Sequence, residues 1–147
     1  FTLDTPRTVG GFAPVGGKIV TKAATIAIQG TAATVCISSL SDTPIASSQR
    51  LLIMHLTDVQ NNEVKYADQT RRVLLAWGKL PYLVRAGQAT VTLRLAHPEK
   101  AKVWGMATDG SRTKPVVTRV ENGALVIPLD VNDGGTARMY YEVEVLP

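Results

Sequence analysis

Alternation with a period of two residues constrains this chain more than any other feature. In "QATVTLRLA" at 88–96, Val91, Leu93 and Leu95 fall on one side while Thr90, Thr92 and Arg94 fall on the other. A strand half buried in a sheet requires that pattern. The last segment repeats it: Met139, Tyr141, Val143 and Val145 alternate with Arg138, Tyr140, Glu142 and Glu144. Further strands are expected at 17–22, 24–29, 33–39, 50–57, 71–77, 82–86, 101–108, 114–121 and 124–130. No window carries an apolar stripe of helical length, and β-branched residues are plentiful. At most one helical turn is expected, near 42–48 or 66–71.

Turn chemistry separates these segments. "DG" at 109–110, "NG" at 122–123 and "NDGG" at 132–135 supply residues that accept positive φ between strands. Many short strands with no helices between them imply an all-β fold, an antiparallel β-sandwich of jelly-roll type with roughly ten strands. The 147 residues form one domain, 1–147, without repeat or linker. Cys36 is the single cysteine, so no internal disulfide is possible, and its place in "ATVCISS" reads as an inert buried thiol. No apolar run approaches a membrane-spanning length. "FTLDTPRTVGGF" has no signal-peptide character, and a start at Phe1 suggests a portion excised from a larger multidomain protein.

Charge is uneven. Residues 49–119 hold twelve basic side chains against five acidic ones, and residues 120–147 one against five. Only Arg71 and Arg72 are adjacent, and no aromatic RNA-binding signature interleaves the cations, so nucleic acid is not an expected partner. Hydrolytic chemistry needs a carboxylate pair across a cleft, or a nucleophile with its base. Glu142 and Glu144 read as a solvated strand face, and Ser47, Ser48, His55 and Asp58 as triad ingredients without a nucleophile elbow. Hence no enzyme is expected. His55, His97 and Cys36 lack transition-metal spacing. The expected cofactor set is empty, although oxygen-ligated Ca²⁺ needs no short motif and Asp130 and Asp133 are carboxylates a loop could offer to it.

Sugars stack their C–H faces on aromatic rings and pair their hydroxyls with planar polar groups. Trp77 ends an apolar strand and enters "WGKLPY", a turn that can hold Trp77 and Tyr82 at a sheet end. Tyr66 lies in the polar loop "NNEVKYADQ". These three rings, with Arg85 and Gln88 as polar partners, are the candidate carbohydrate contacts. Trp104, opposite Val103 on its strand, reads as core or interface.

"DTPRT" at 4–8 with "GGF" at 10–12, "SSLSDTPIASSQRLLIMHLTD" at 38–58, "WGKLPYLVRAGQATVTLRL" at 77–95 and "VWGMATDGSR" at 103–112 together cover nearly the whole chain. In this order they resemble the C-terminal β-sandwich module of bacterial glycoside hydrolases, which follows a catalytic (β/α)8 barrel. Where relatives carry a longer Asn- and Gly-rich stretch after "RLL", this chain has "IMHLTDVQNNEVKYADQTRR". The resemblance implies secretion or surface display, a covalently linked glycoside hydrolase catalytic domain, and polysaccharide processing. The leading expectation is a noncatalytic carbohydrate-binding module that targets the linked enzyme to plant cell-wall β-glucan or hemicellulose and works by proximity. The alternative is a structural module that packs on the barrel and stabilises it, with "DTPRT" and Trp104 at the contact.

Overall fold

The structure, a computed structural model, describes residues Phe1–Pro147. Eighteen strands and two short 3-10 turns make up its regular structure. In chain order the first strands are β1 (Thr2–Asp4), β2 (Thr8–Ala13), β3 (Lys18–Val20), β4 (Ala24–Gln29), β5 (Ala33–Ser39) and β6 (Arg50–Leu56). An excursion holds β7 (Val59–Asn62), β8 (Lys65–Tyr66), β9 (Leu74–Ala76) and β10 (Lys79–Val84). The rest are β11 (Gln88–Leu93), β12 (Ala101–Met106), β13 (Arg112–Val116), β14 (Arg119–Glu121), β15 (Ala124–Asp130), β16 (Asn132–Asp133), β17 (Thr136–Ala137) and β18 (Tyr140–Val145). The fold is all-β, and every pairing is antiparallel.

Twelve strands build two large sheets, one ordered β1-β2-β5-β6-β18-β12-β13 and the other β14-β15-β11-β4-β3. Alternation decides which side chains they bury. Along β5, Ala33, Val35 and Ile37 point inward, and along β4, Ala24, Ile26 and Ile28 do the same. Val91 and Leu93 of β11 join Leu125, Ile127 and Leu129 of β15 and Leu51 and Ile53 of β6 in one cluster of 22 buried residues drawn from both sheets. That cluster contains no residue of the excursion between β6 and β11.

One hydrogen-bonded tie crosses between the sheets. The Tyr141 hydroxyl on β18 donates to the Asp130 carbonyl and accepts from the Asp130 amide, each at 2.9 Å. Burial, the larger effect, pushes the phenol up to about 12, so it stays neutral and keeps its donor.

Several expectations change in detail. The stretch 114–121 is not one strand: β13 belongs to the larger sheet and β14 to the smaller, so the chain changes sheets at Val117 and Thr118. The apolar run 71–77 contributes only Leu74–Ala76, outside both large sheets. Two 3-10 turns occur where at most one is expected, at Ile45–Ser47 and at Pro98–Lys100, whereas 66–71 holds strand and turn. Cys36 is half-buried, because it alternates with the core residues Val35 and Ile37 and so faces outward. Glu142 also faces outward, yet it is buried rather than solvated.

Candidate functional site

Between β6 and β11 the chain leaves the sheets and makes a two-tier ribbon. Its two ends are stapled together. The Arg85 amide donates to the Asp58 carbonyl at 2.8 Å, and the Thr57 hydroxyl donates to the Arg85 carbonyl at 2.6 Å. The Asp58 carboxylate then receives Arg71 at 2.8 Å and Arg85 at 3.4 Å. A carboxylate shared by two guanidinium groups holds both strand ends at one point.

The lower tier pairs β7 with β10, setting Val84 against Val59, Leu83 against Gln60 and Tyr82 against Asn61. The register slips between Tyr82 and Lys79, where Pro81 has no amide to offer the ladder. The upper tier pairs β8 with β9, Lys65 against Ala76 and Tyr66 against Leu74. Gly78 joins the tiers with φ +73°, and a Cβ there would lie 2.2 Å from the Asn62 carbonyl oxygen. Only glycine fits. The Asn61 side-chain amide donates to the Trp77 carbonyl at 2.8 Å and fixes the backbone from which the indole projects.

The ribbon exposes large apolar side chains among its charged ones. Seven of the sixteen exposed large hydrophobic residues of the chain lie between Val59 and Leu83. Two are the aromatic residues Trp77 and Tyr82, 77% and 67% exposed, and five are aliphatic, led by Leu80 at 69% and Leu75 at 66%. Beside Tyr82 runs a cleft of about 380 Å³, walled by Leu83 and Val84 on one side and by Val131, Asn132 and Thr136 on the other.

Of the five residues singled out from the sequence, four share this ribbon and one does not. Trp77 and Tyr82 are exposed. Tyr66 is half-buried with the Arg71 guanidinium 5.8 Å from its ring centroid. Arg85 is engaged with Asp58. Gln88 lies on β11 in the smaller sheet, where its side-chain amide donates to Asp130 at 2.8 Å. Asp58 enters the sequence reading only as a triad ingredient, and Leu75 and Leu80 do not enter it as surface residues; "VLLAW" at 73–77 is the sequence signal for part of that surface.

A second polar cluster lies on the outer face of the larger sheet. Glu142 accepts Arg50 Nε at 2.8 Å on one oxygen and Arg112 Nε at 2.6 Å on the other. Arg112 also reaches Glu144 at 3.1 Å and covers the Trp104 ring at 5.4 Å. The Arg112 hydrogen bond, aided by Arg50, holds the Glu142 carboxyl below the usual carboxylate range. Trp104 is thus half-buried under its own chain, with its indole nitrogen enclosed and unpartnered.

The candidate triad residues are dispersed among other contacts. The Ser48 hydroxyl bonds Ser39 at 2.9 Å and the Arg50 carbonyl at 2.7 Å, and Asp58 serves the ribbon. His55 is fully buried on the core side of β6 with neither ring nitrogen hydrogen bonded. The carboxylates weighed for Ca²⁺ have protein partners: Asp130 takes Gln88 and the Asn132 amide, and Asp133 takes Arg138. No group of three or more His, Cys, Asp or Glu side chains is arranged to hold a metal ion.

Compared with known families, curated proteins and solved structures, the chain gives no significant match.

Proposed function

We propose that the chain is a noncatalytic accessory module of a secreted or surface-displayed bacterial glycoside hydrolase, a jelly-roll-like β-sandwich that packs against the linked catalytic domain and stabilises it. The observation that carries this reading is the chemistry of the ribbon's exposed surface. Leu75 and Leu80 are nearly as exposed as the two aromatic rings, and they have neither a flat face for a pyranose nor a hydrogen-bonding group for its hydroxyls. A concentration of exposed large apolar side chains in one segment is what an interaction site would leave on an isolated chain. The ribbon contributes no residue to the 22-residue core. The two sheets that share that core support the sandwich architecture.

Carbohydrate binding is the second reading, and Tyr82 favours it. Its ring borders a cleft whose far wall offers the Asn132 amide and the Thr136 hydroxyl, the mixture of ring and polar group that a sugar needs. Two measurements on the full-length enzyme separate the readings. On the docking reading, Leu75→Asp with Leu80→Asp lowers the unfolding temperature of the catalytic domain, while native affinity electrophoresis against β-glucans, xylans, mannans and xyloglucan matches the Trp77→Ala and Tyr82→Ala variants. Retardation by one polysaccharide that either aromatic variant abolishes, with unfolding unchanged in the leucine variant, would replace it by the carbohydrate reading.

A further inference from the structure

The outer faces of the two large sheets are made of different side chains. On the smaller sheet, the residues that alternate with the core positions of β4 and β11 are polar or small: Thr25 stands opposite Thr92, Ala27 opposite Thr90 and Gln29 opposite Gln88. An antiparallel sheet with one side in water carries such residues there. The larger sheet departs from that rule. One rung across its adjacent strands β2, β5, β6, β18 and β12 reads Gly10, Cys36, Met54, Tyr140 and Met106. On the rungs to either side, Leu52 and Trp104 flank Glu142, and Phe12 and Leu56 flank Thr34. All of these face away from the core, because each alternates along its strand with buried residues. Glu142 is the one charged side chain among them, and Arg50 and Arg112 hold both its oxygens. The ribbon's strands pack on one another rather than on this face.

Three features fit a second copy of the chain to this face. The first is size. Seven strands leave six spacings of about 4.8 Å, and the six residues from the Leu56 rung to the Arg50 rung rise about 3.3 Å each, so the face spans roughly 600 Å². Two such faces bury roughly 1,200 Å² in total, the lower end of what stable partners bury. The second is symmetry. β6 is the central strand of the seven, so a twofold axis along it lays β5 of one copy over β18 of the other, and β2 over β12. Met106, at the tall end of the central rung, then lies over Gly10, its low end, in the second copy. The third is charge. The rung beyond Glu142 carries Arg50, Glu144 and Lys102, and the same axis sets that rung against itself. Both signs are present on each side, so cation meets carboxylate at the rim while the centre stays uncharged.

We propose that two copies of the chain pair through the outer face of the larger sheet, β6 on β6, as an isologous dimer. The apolar rungs supply most of the contact energy, and the charged rung fixes the register. The contact uses no part of the ribbon, so it stands or falls apart from the packing reading above.

The test measures mass and thiol access in the chain 1–147 and in its variants. In light scattering the parent is expected to rise from one chain mass to two as its concentration is raised through the micromolar range. Cys36, the only thiol and a member of the central rung, is expected to react with a maleimide severalfold more slowly at the upper end of that range. Met54→Glu sets a charge on the axis; it is expected to stay monomeric, with a thiol rate independent of concentration. Leu75→Asp with Leu80→Asp alters only the ribbon and is expected to dimerise like the parent. Hydrogen–deuterium exchange of the β4, β11 and β15 amides reports the core in the same samples. Should Met54→Glu accelerate those amides, Phe12→Asp replaces it, since that side chain is already 46% exposed, and it is expected to weaken the dimer severalfold. A parent that stays monomeric with a constant thiol rate overturns the proposal. So does a dimer that the ribbon variant breaks and the sheet-face variants leave intact.

Discussion

His55 is the side chain with the least local compensation in the molecule. It is fully buried on the inner side of β6, and neither ring nitrogen has a partner. Removal from water, only partly offset by the charge of Asp130, pushes its pKa down to about 4 from 6.5. Between those two values the unfolded chain binds the proton and the folded chain does not, so stability is fully present above pH 6.5 and declines as the pH falls towards 4. A shift of this size corresponds to about 3 kcal/mol. The urea midpoint is therefore expected to drop from pH 7 to pH 4.5, and His55→Leu, which keeps the volume without the titration, is expected to flatten most of that drop. An equal pH slope in both proteins would place the acid sensitivity elsewhere. Glu142 has the opposite dependence on charge: its carboxyl is held low by Arg112 and Arg50, so its contribution is present above the ordinary carboxylate range and disappears as pH falls below it. Because both arginines keep contact with water, Glu142→Gln is expected to cost about 1–2 kcal/mol at pH 7. Denaturant titration should show that difference narrowing near pH 3.

At the scale of elements, the ribbon and the sheets differ in what holds them. The sheets are fixed by buried side chains. The ribbon is fixed at its base by one carboxylate that receives Arg71 and Arg85. Asp58→Asn retains a hydrogen-bond acceptor but removes the charge that collects both guanidinium groups. In this variant, amides of β7 to β10 are expected to exchange severalfold faster while those of β4, β5 and β15 remain unchanged. The same division explains what could be read from the sequence. Residues 24–29, 33–39 and 124–130 are strands with the expected limits, because their inward residues pack on partners within the chain; the first two alternate throughout, whereas Ala124–Ile127 are buried on both faces. "VLLAW" at 73–77 carries the same apolar content, yet its strand is Leu74–Ala76, outside the core. Hydrophobicity records that a side chain will be covered but not by which surface. Trp77 and Tyr82 are legible because Gly78 and Pro81 announce a turn, whereas Gln88, three residues after Arg85, lies beyond the ribbon's end. Its strand belongs to the smaller sheet. The role of Asp58 in the ribbon is not legible, since it depends on two arginines 13 and 27 residues away meeting at one oxygen.

Across the whole molecule, the core and the ribbon are separate. All 22 residues of the buried cluster lie outside the ribbon, and the Tyr141 tie between the sheets joins β18 to Asp130 without using it. The ribbon's two ends are adjacent, because the Arg85 amide already bonds the Asp58 carbonyl. Replacing residues 59–84 by a two-residue turn between Asp58 and Arg85 therefore asks for no movement of β6 or β11. The Asp58 carboxylate loses Arg71 but keeps Arg85, an exposed pair worth about 0–1 kcal/mol. The shortened chain is expected to fold cooperatively with a Tm within a few degrees of the parent's. It should also be more soluble, since seven of the exposed hydrophobic side chains leave with the ribbon. Ile53→Ala on β6 provides the contrast: that side chain is fully enclosed, and its loss is expected to cost about 2–5 kcal/mol. Scanning calorimetry of the two variants compares a large deletion that spares the core with a three-carbon deletion inside it. If the shortened chain melted below Ile53→Ala, the ribbon would be part of the folding unit, and its apolar surface would need an explanation within the chain instead of in a partner.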